Sequence, residues 1–378
     1  MRSCTLWFAI FWLANGNEVY NVEFLYPLLR INIGTPIQPI SLHIDLTTDV
    51  LFVLSANCGE VNTLRCPRLC YSNDYAEMYC SLECQRLDDV EWCKKPIYTL
   101  LRFDSTNSSS YNSTNEFRKE NLRNHFAQIG QLAHETIAFT PLNDGTASLE
   151  LKDWLFVNGM ILDSDLIINS AGGVLGLLPG KSNLIQLLYK QRRILKPVVS
   201  ILLLLPRITI GDYNQEYCSN WWNRDAVEAN WILSFDSAAF LNQTWNSNVY
   251  VTVTFDLQHD TTFIPDETFD ELLDSEVIIQ VLNSYYPTSC AVNFDLKFTV
   301  DNRELLVPSS NFVVKPFFDI DQCLVKLSPL RDWYSSPRLY ANEPNWVLGF
   351  PFMQLFCIAF NYETNQIGIA NLNDPNDN

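Results

Sequence analysis

Along most of the chain, short runs of β-branched and aromatic residues alternate with Gly, Pro, Asn, Asp and Ser, the pattern of an all-β protein with many strands. One such run, HIDLTTDVLFVLSANC (residues 43–58), carries an acidic side chain, Asp45, within apolar neighbours. Two stretches change period and predict helices. KSNLIQLLYKQRRIL (181–195) has Ser182 as its N-cap and places Leu184, Leu187, Leu188 and Gln191 on one face; PDETFDELL (265–273) opens with Pro265 and spaces Phe269, Leu272 and Leu273 for burial. The long apolar run PVVSILLLLPRITI (197–210) is interrupted by proline and Arg207, so it predicts a buried strand pair and no membrane span.

A long-range echo adds organisation. HIDLTTDVLFVL in the first half resembles TFDLQHDTTFIP in the second, each a strand running into an Asp-Leu pair, which predicts a duplicated, two-lobed chain. A length of 378 residues suits two units that each hold a core. Composition agrees: 47% hydrophobic and 18% charged is globular. The formal net charge of −18 argues against nucleic acid as a partner, because phosphate binding needs clustered Lys and Arg.

The first residues, MRSCTLWFAIFWLANGN, read as a secretory signal peptide over 1–16, with Arg2, a short apolar run and a small-x-small site at Ala14-Asn15-Gly16; a buried N-terminal strand is the alternative. Secretion gives the cysteines a meaning. Six fall within 36 residues, Cys58, Cys66, Cys70, Cys80, Cys84 and Cys93. They predict a disulfide-stapled insertion over 58–93 with fifteen possible connectivities, against the competing reading of a zinc cluster, for which no His lies inside. Asn107, Asn112 and Asn242 each open an Asn-x-Ser/Thr sequon and so are candidate glycosylation sites.

With these residues in view the chain resembles the pepsin-like aspartic proteases, with a Cys-rich insertion similar to that of nematode members. The resemblance is carried by YPLLRINIGTPIQPISLHIDLTTDVLFVLSANC, by RFDSTNSSSYN, by GGVLGLL (172–178), by RITIGDYNQEYC, and by PNWVLGFPFMQLFCIAFNYETNQIGIA (344–370), in that order. In the last of these Phe350 stands where the family has Asp. The resemblance implies an all-β, bilobal acid protease fold with a few short helices, an N-terminal lobe over 17–217 and a C-terminal lobe over 218–378. It also implies the pairs Cys290–Cys323 and Cys218–Cys357, each stabilising by roughly 2–4 kcal/mol.

The family's mechanism uses two carboxylates, one per lobe, that share a proton while one activates water and the other polarises the scissile carbonyl. The resemblance places them at Asp45 and Asp256. Each should begin an Asp-Thr/Ser-Gly triplet, but here the triplets read Asp45-Leu46-Thr47 and Asp256-Leu257-Gln258. Leu46 and Leu257 cannot supply the hydroxyls that hold the pair level, and Thr47 and Gln258 add bulk where glycine lets a substrate backbone approach. Replacing both hydroxyl partners by apolar groups can be nearly neutral for the fold, whereas losing one strands the other.

An ungapped count puts Arg123 at the tyrosine of the family's flap, giving either an ion pair with Asp45 or Asp256 or a solvated hairpin charge. His43 and His259 lie near the two aspartates and could be metal ligands or hydrogen-bonded imidazoles; the expectation is no metal and no cofactor. Only NEVYNVEFL separates the expected cleavage site from Tyr26, and it lacks the basic residues of the prosegment that restrains active members. Together these features predict a secreted, monomeric peptidase homologue with reduced or no proteolytic activity, binding a peptide or protein in the interlobe cleft. The alternatives are an active acid endopeptidase using Asp45 and Asp256, and a protein inhibitor built on the same fold.

Overall fold

The structure is a computed structural model that describes residues 19–25, 28–58, 102–122, 126–139, 149–161, 171–227, 230–240, 246–247, 251–279, 286–292, 294–315, 322–333 and 344–373. The strands of the first half are β1 (Tyr20–Leu25), β2 (Leu28–Ile33), β3 (Gln38–Asp45), β4 (Leu51–Leu54), β5 (Asn112–Leu122), β6 (Phe126–Phe139), β7 (Leu149–Ile161), β8 (Gly173–Gly176), β9 (Val198–Leu202) and β10 (Arg207–Ile210). Helix α1 (Leu184–Lys190) lies between β8 and β9. The chain continues through β11 (Cys218–Asp225), β12 (Leu233–Phe235), β13 (Ser237–Phe240), β14 (Asn246–Ser247), β15 (Val251–Phe255), β16 (Thr262–Ile264) and helix α2 (Asp266–Asp274). It closes with β17 (Pro287–Ser289), β18 (Leu296–Val300), β19 (Arg303–Val307), β20 (Val313–Val314), β21 (Gln322–Val325), β22 (Leu327–Pro329), β23 (Trp346–Leu348), helix α3 (Phe350–Met353), β24 (Phe356–Asn361) and β25 (Gln366–Leu372).

The duplication expected from the sequence is visible in strand order. In the first half β3 runs parallel to β8, β8 antiparallel to β4, and β4 parallel to β7. In the second half β15 runs parallel to β23, β23 antiparallel to β16, and β16 parallel to β22. An antiparallel neighbour, β2 or β12, flanks each path. In both paths an aspartate closes or directly follows the first strand, and the parallel partner runs into Leu-Gly: Asp45 is in register with Gly176, and Asp256 N donates to Leu348 O at 3.0 Å just before Gly349.

Those glycines are required by close approach. A Cβ on Gly176 would lie 2.4 Å from the carbonyl oxygen of Thr48, and one on Gly349 would lie 2.0 Å from that of Thr261. Each glycine lets the loop that follows an aspartate fold back over the neighbouring strand.

One sheet crosses between the halves, in the order β11-β25-β24-β9-β10-β1 and onward into β2 and β3. Strand β9 is buried at every position and β24 at all but its last, as fits strands covered on both faces. The run at 197–210 is thus the expected strand pair, β9 antiparallel to β10, with Leu204 and Leu205 exposed in the turn. Segment Tyr20–Leu25 is itself a strand of this sheet, paired with β10 and β2.

Leu177, next after Gly176, ties the first half to the second. Its N–H donates to Asp45 O at 2.7 Å, and its carbonyl accepts from the Trp231 indole at 2.7 Å and the Tyr362 hydroxyl at 2.6 Å. The two aromatic rings meet edge to face with centroids 5.0 Å apart. Burial raises the Tyr362 phenol far above its ordinary value, so this hydroxyl remains a donor.

The helices depart from expectation in detail. Helix α1 is capped by Asn183, whose Oδ1 accepts from Gln186 N at 3.1 Å, so Ser182 lies outside it. Asn183 wins because its Nδ2 also reaches Leu178 O and Tyr362 Oη, which buries it completely. The buried face is Leu184, Ile185 and Leu188, whereas Gln191 is exposed and ends the helix as its C-cap. Helix α2 starts after Pro265 and buries Thr268, Phe269 and Leu272, with Leu273 half-buried.

Disulfides join Cys218 to Cys357 and Cys290 to Cys323. Cys58 is also disulfide-bonded and buried, while Cys66, Cys70, Cys80, Cys84 and Cys93 lie outside the described residues, as do the expected signal peptide at 1–16 and Asn242. Among the described residues no helix is long and apolar enough to cross a membrane.

Two substitutions probe this frame. Gly349→Ala must displace the Thr261 backbone and is expected to cost about 3 kcal/mol. Trp231→Ala removes a buried ring and a donor to Leu177, with an expected cost of about 3–5 kcal/mol. Urea unfolding of the purified protein measures both.

Candidate active site

Strands β3 and β15 carry their aspartates to equivalent places, and both side chains are buried, Asp45 at 2% exposure and Asp256 at 1%. A carboxyl group removed from water must be met by hydrogen-bond donors. The two sites do this differently.

At Asp45, among the described residues, Thr47 supplies donors to the side chain. Thr47 gives its backbone N–H at 2.7 Å and its hydroxyl at 2.6 Å, both to Oδ1. The backbone bond is one that any residue at this position could make. The hydroxyl bond is particular to Thr47, which is exposed and so stands on the solvent side of the buried carboxyl. The sequence shows Thr47 as added bulk; the structure shows it also as a ligand of Asp45.

At Asp256 the contacts among the described residues include Gln258, His259 and Trp333. Gln258 N donates to Oδ1 at 2.8 Å, while Oδ2 faces His259 Nδ1 at 2.7 Å and Trp333 Nε1 at 3.2 Å. The ring nitrogen facing an acceptor-only carboxylate carries the proton, so His259 donates through Nδ1–H. Trp333 is buried with Phe263, Leu330 and Val347, and the His259 ring meets Phe263 edge to face at 5.3 Å. Next to Trp333, burial raises the Asp332 carboxyl above the usual carboxylate range.

The two loops are brought side by side by Gln258, whose Nε2 donates across the halves to Ile44 O at 3.3 Å. Leu46 and Leu257, at the positions expected to exchange hydroxyl hydrogen bonds, are both buried in the main hydrophobic core. Asp260 sits beyond His259 in an ion pair with Lys326 at 2.5 Å.

Of the other residues singled out in the sequence, Arg123 lies outside the described residues. His43 is buried in β3. Among the described residues no three His, Cys, Asp or Glu side chains converge as a metal site. Asn107 and Asn112 are exposed, on a short 3₁₀ turn and at the start of β5. Trp333 escaped sequence reasoning: it lies 77 residues from Asp256, and no local spacing points to it. The Gln258 contact, across 214 residues, is equally invisible from the sequence, whereas His259, three residues after Asp256, was within reach.

A two-lobed all-β architecture with one buried aspartate per repeated unit defines the class of the aspartic proteases. Comparison agrees: a family model of eukaryotic aspartyl proteases matches residues 27–372, and the chain belongs to that family. Aspartic protease 17 of Caenorhabditis elegans is similar to it, 22% identical over 381 residues that span 94% of this chain and 83% of the relative.

Asp256→Asn tests the assignment of donors. Both oxygens accept, so either orientation of the amide sets an NH₂ against a donor. The expected loss is about 1–3 kcal/mol, read by urea unfolding at neutral pH. A variant as stable as the parent would contradict the contacts described.

Proposed function

We propose that the protein is a secreted, disulfide-bonded and glycosylated member of the aspartic protease family with little or no peptidase activity. In this reading it is a monomer of two lobes, 17–217 and 218–378, that binds a peptide or protein in the cleft between them. Asp45 and Asp256 are the counterparts of the catalytic pair.

The observation that carries the reading is the occupation of Asp256 Oδ2 by both His259 and Trp333. A shared-proton mechanism needs one acid to hold a proton and deliver it to the scissile carbonyl while the other activates water. An oxygen that already faces an imidazole and accepts from an indole is engaged by the protein's own groups where the mechanism needs it directed at the substrate. The altered triplets point the same way. Leu46 and Leu257 offer no hydroxyl to hold the pair level, the Thr47 hydroxyl is committed to Asp45, and the Gln258 side chain spans to Ile44. An extended substrate backbone would meet both added side chains.

A second reading, an acid endopeptidase, is favoured by one fact: both aspartates remain and both are buried, with the loops after them linked by Gln258. The two are separated by incubating purified mature protein with a diverse peptide pool near pH 4, beside an Asp45→Asn control, and identifying products by mass spectrometry. The expected result is no cleavage beyond that of the control. Products made by the parent and absent from Asp45→Asn would overturn the proposal.

A further inference from the structure

Charge is distributed unevenly along the chain. Between residues 166 and 211 stand Lys181, Lys190, Arg192, Arg193, Lys196 and Arg207 and no Asp or Glu, although the whole chain carries −18. Four of these cations fall within KQRRILK (190–196), a density of Lys and Arg that marks a surface for polyanions. In the structure this stretch closes α1. Gln191 caps the helix, Arg192 N donates to Tyr189 O and Arg193 N to Leu188 O, each at 2.9 Å, which is the two-bond closure of a Schellman turn. The left-handed position of such a turn is usually glycine; here it is Arg192, at φ 56°. Ile194, buried, anchors the chain on the far side.

Lys190, Arg192 and Arg193 are therefore exposed on a backbone held at both ends, and among the described residues none of the three has an ion-pair partner. Lys190 also offsets the negative end of α1, which leaves the two arginines facing outward as planar forks suited to oxyanions. Lys196 is paired with Asp212 at 2.7 Å, and the Tyr189 hydroxyl donates to Glu363 at 3.3 Å, so carboxylates border the turn. Leu195 is 58% exposed beside the arginines in sequence.

We propose that this turn binds a sulfated polysaccharide, with Arg192 and Arg193 meeting sulfate groups through paired N–H donors. Other anionic partners fit less well. A membrane of anionic lipid is a plane wider than the turn and would also face the acidic remainder of the protein, beginning with Glu363 and Asp212. An acidic peptide needs a strand edge or an apolar groove to hold it, whereas the backbone amides of 191–193 are used within the turn. A sulfated chain is a narrow line of dense charge that needs neither, and the exposed apolar surface of Tyr189 and Leu195 suits the C–H faces of sugar rings. The inference rests on the proposed secretion, which brings the protein to such chains and away from nucleic acid, and it is independent of the cleft.

The test is fluorescence anisotropy of a labelled heparin dodecasaccharide with the full mature protein near pH 7, in about 50 mM and about 200 mM NaCl. Arg192→Gln/Arg193→Gln is expected to raise Kd about 30-fold at the lower salt and to make the salt dependence shallower. The charge-matched pair Arg303→Gln/Lys315→Gln, exposed on other elements, should leave Kd within about twofold of the parent. Arg192→Gly separates a binding role from a structural one: glycine suits the left-handed turn, so Tm should hold or rise while binding weakens. Equal affinity in the parent and the folded Arg192/Arg193 variant would overturn the proposal, as would an equal loss in the charge-matched pair. Tighter binding of the parent to poly-L-glutamate, to oligothymidylate or to vesicles of phosphatidylcholine and phosphatidylserine would overturn it too. None of these results touches the acid peptide assay, which reads the cleft alone.

Discussion

Two acidic side chains lie out of water where the repeated halves of the chain meet, and groups next to them supply hydrogen-bond donors. Burying a carboxyl group without partners is costly, so its hydrogen bonds are part of the fold as well as of any chemistry. The backbone N–H two residues beyond each aspartate meets one requirement in both halves. After that the halves diverge. Among the described residues Asp45 also accepts from the hydroxyl of Thr47, and Asp256 meets an imidazole and an indole. The backbone contribution belongs to the architecture, while the side-chain contribution sets what the site can do.

The architecture that delivers the aspartates is held by a few backbone groups. Gly176 and Gly349 let the loops after the two aspartates lie against neighbouring strands, at separations that no side chain could share. Leu177 then joins this arrangement to the second half, donating to Asp45 O and accepting from Trp231 and Tyr362. A change in the packing of those two rings therefore acts on the strand that carries Asp45. Coupling of this kind needs no moving part; it follows from a carbonyl shared by two buried donors.

Local features of the chain could be read from its sequence, and distant ones could not. The alternation of short strands, the strand pair at 197–210, the burial of Phe269 and Leu272, and the echo between the segments around Asp45 and Asp256 all depend on spacing within a dozen residues. Each has a counterpart in the fold. The cap of α1 was misplaced by one residue, because Asn183 is chosen by contacts with Tyr362, 179 positions away. Trp333 was missed for the same reason. At Thr47 the residue type suggested obstruction, but the orientation of its hydroxyl toward Asp45 depends on how the loop turns after β3. Residue identity fixed which atoms were present, and tertiary structure decided which of them met.

The leucines at 46 and 257 show why such a site can change while the fold persists. A single leucine opposite a hydroxyl would leave one buried polar group without its partner, whereas leucines on both sides remove donor and acceptor together. Both side chains belong to one continuous apolar core. That exchange costs the architecture little and removes a constraint on the aspartates, which become free to take different partners. Asp256 has done so with His259 and Trp333, and Asp45 with Thr47. Two groups that act as a matched pair must have equivalent surroundings, or at least surroundings that allow one proton to serve both. Here one carboxyl is bonded to an alcohol and the other to an imidazole and an indole. The described hydrogen bonds thus differ between two carboxyls that the backbone presents in equivalent places.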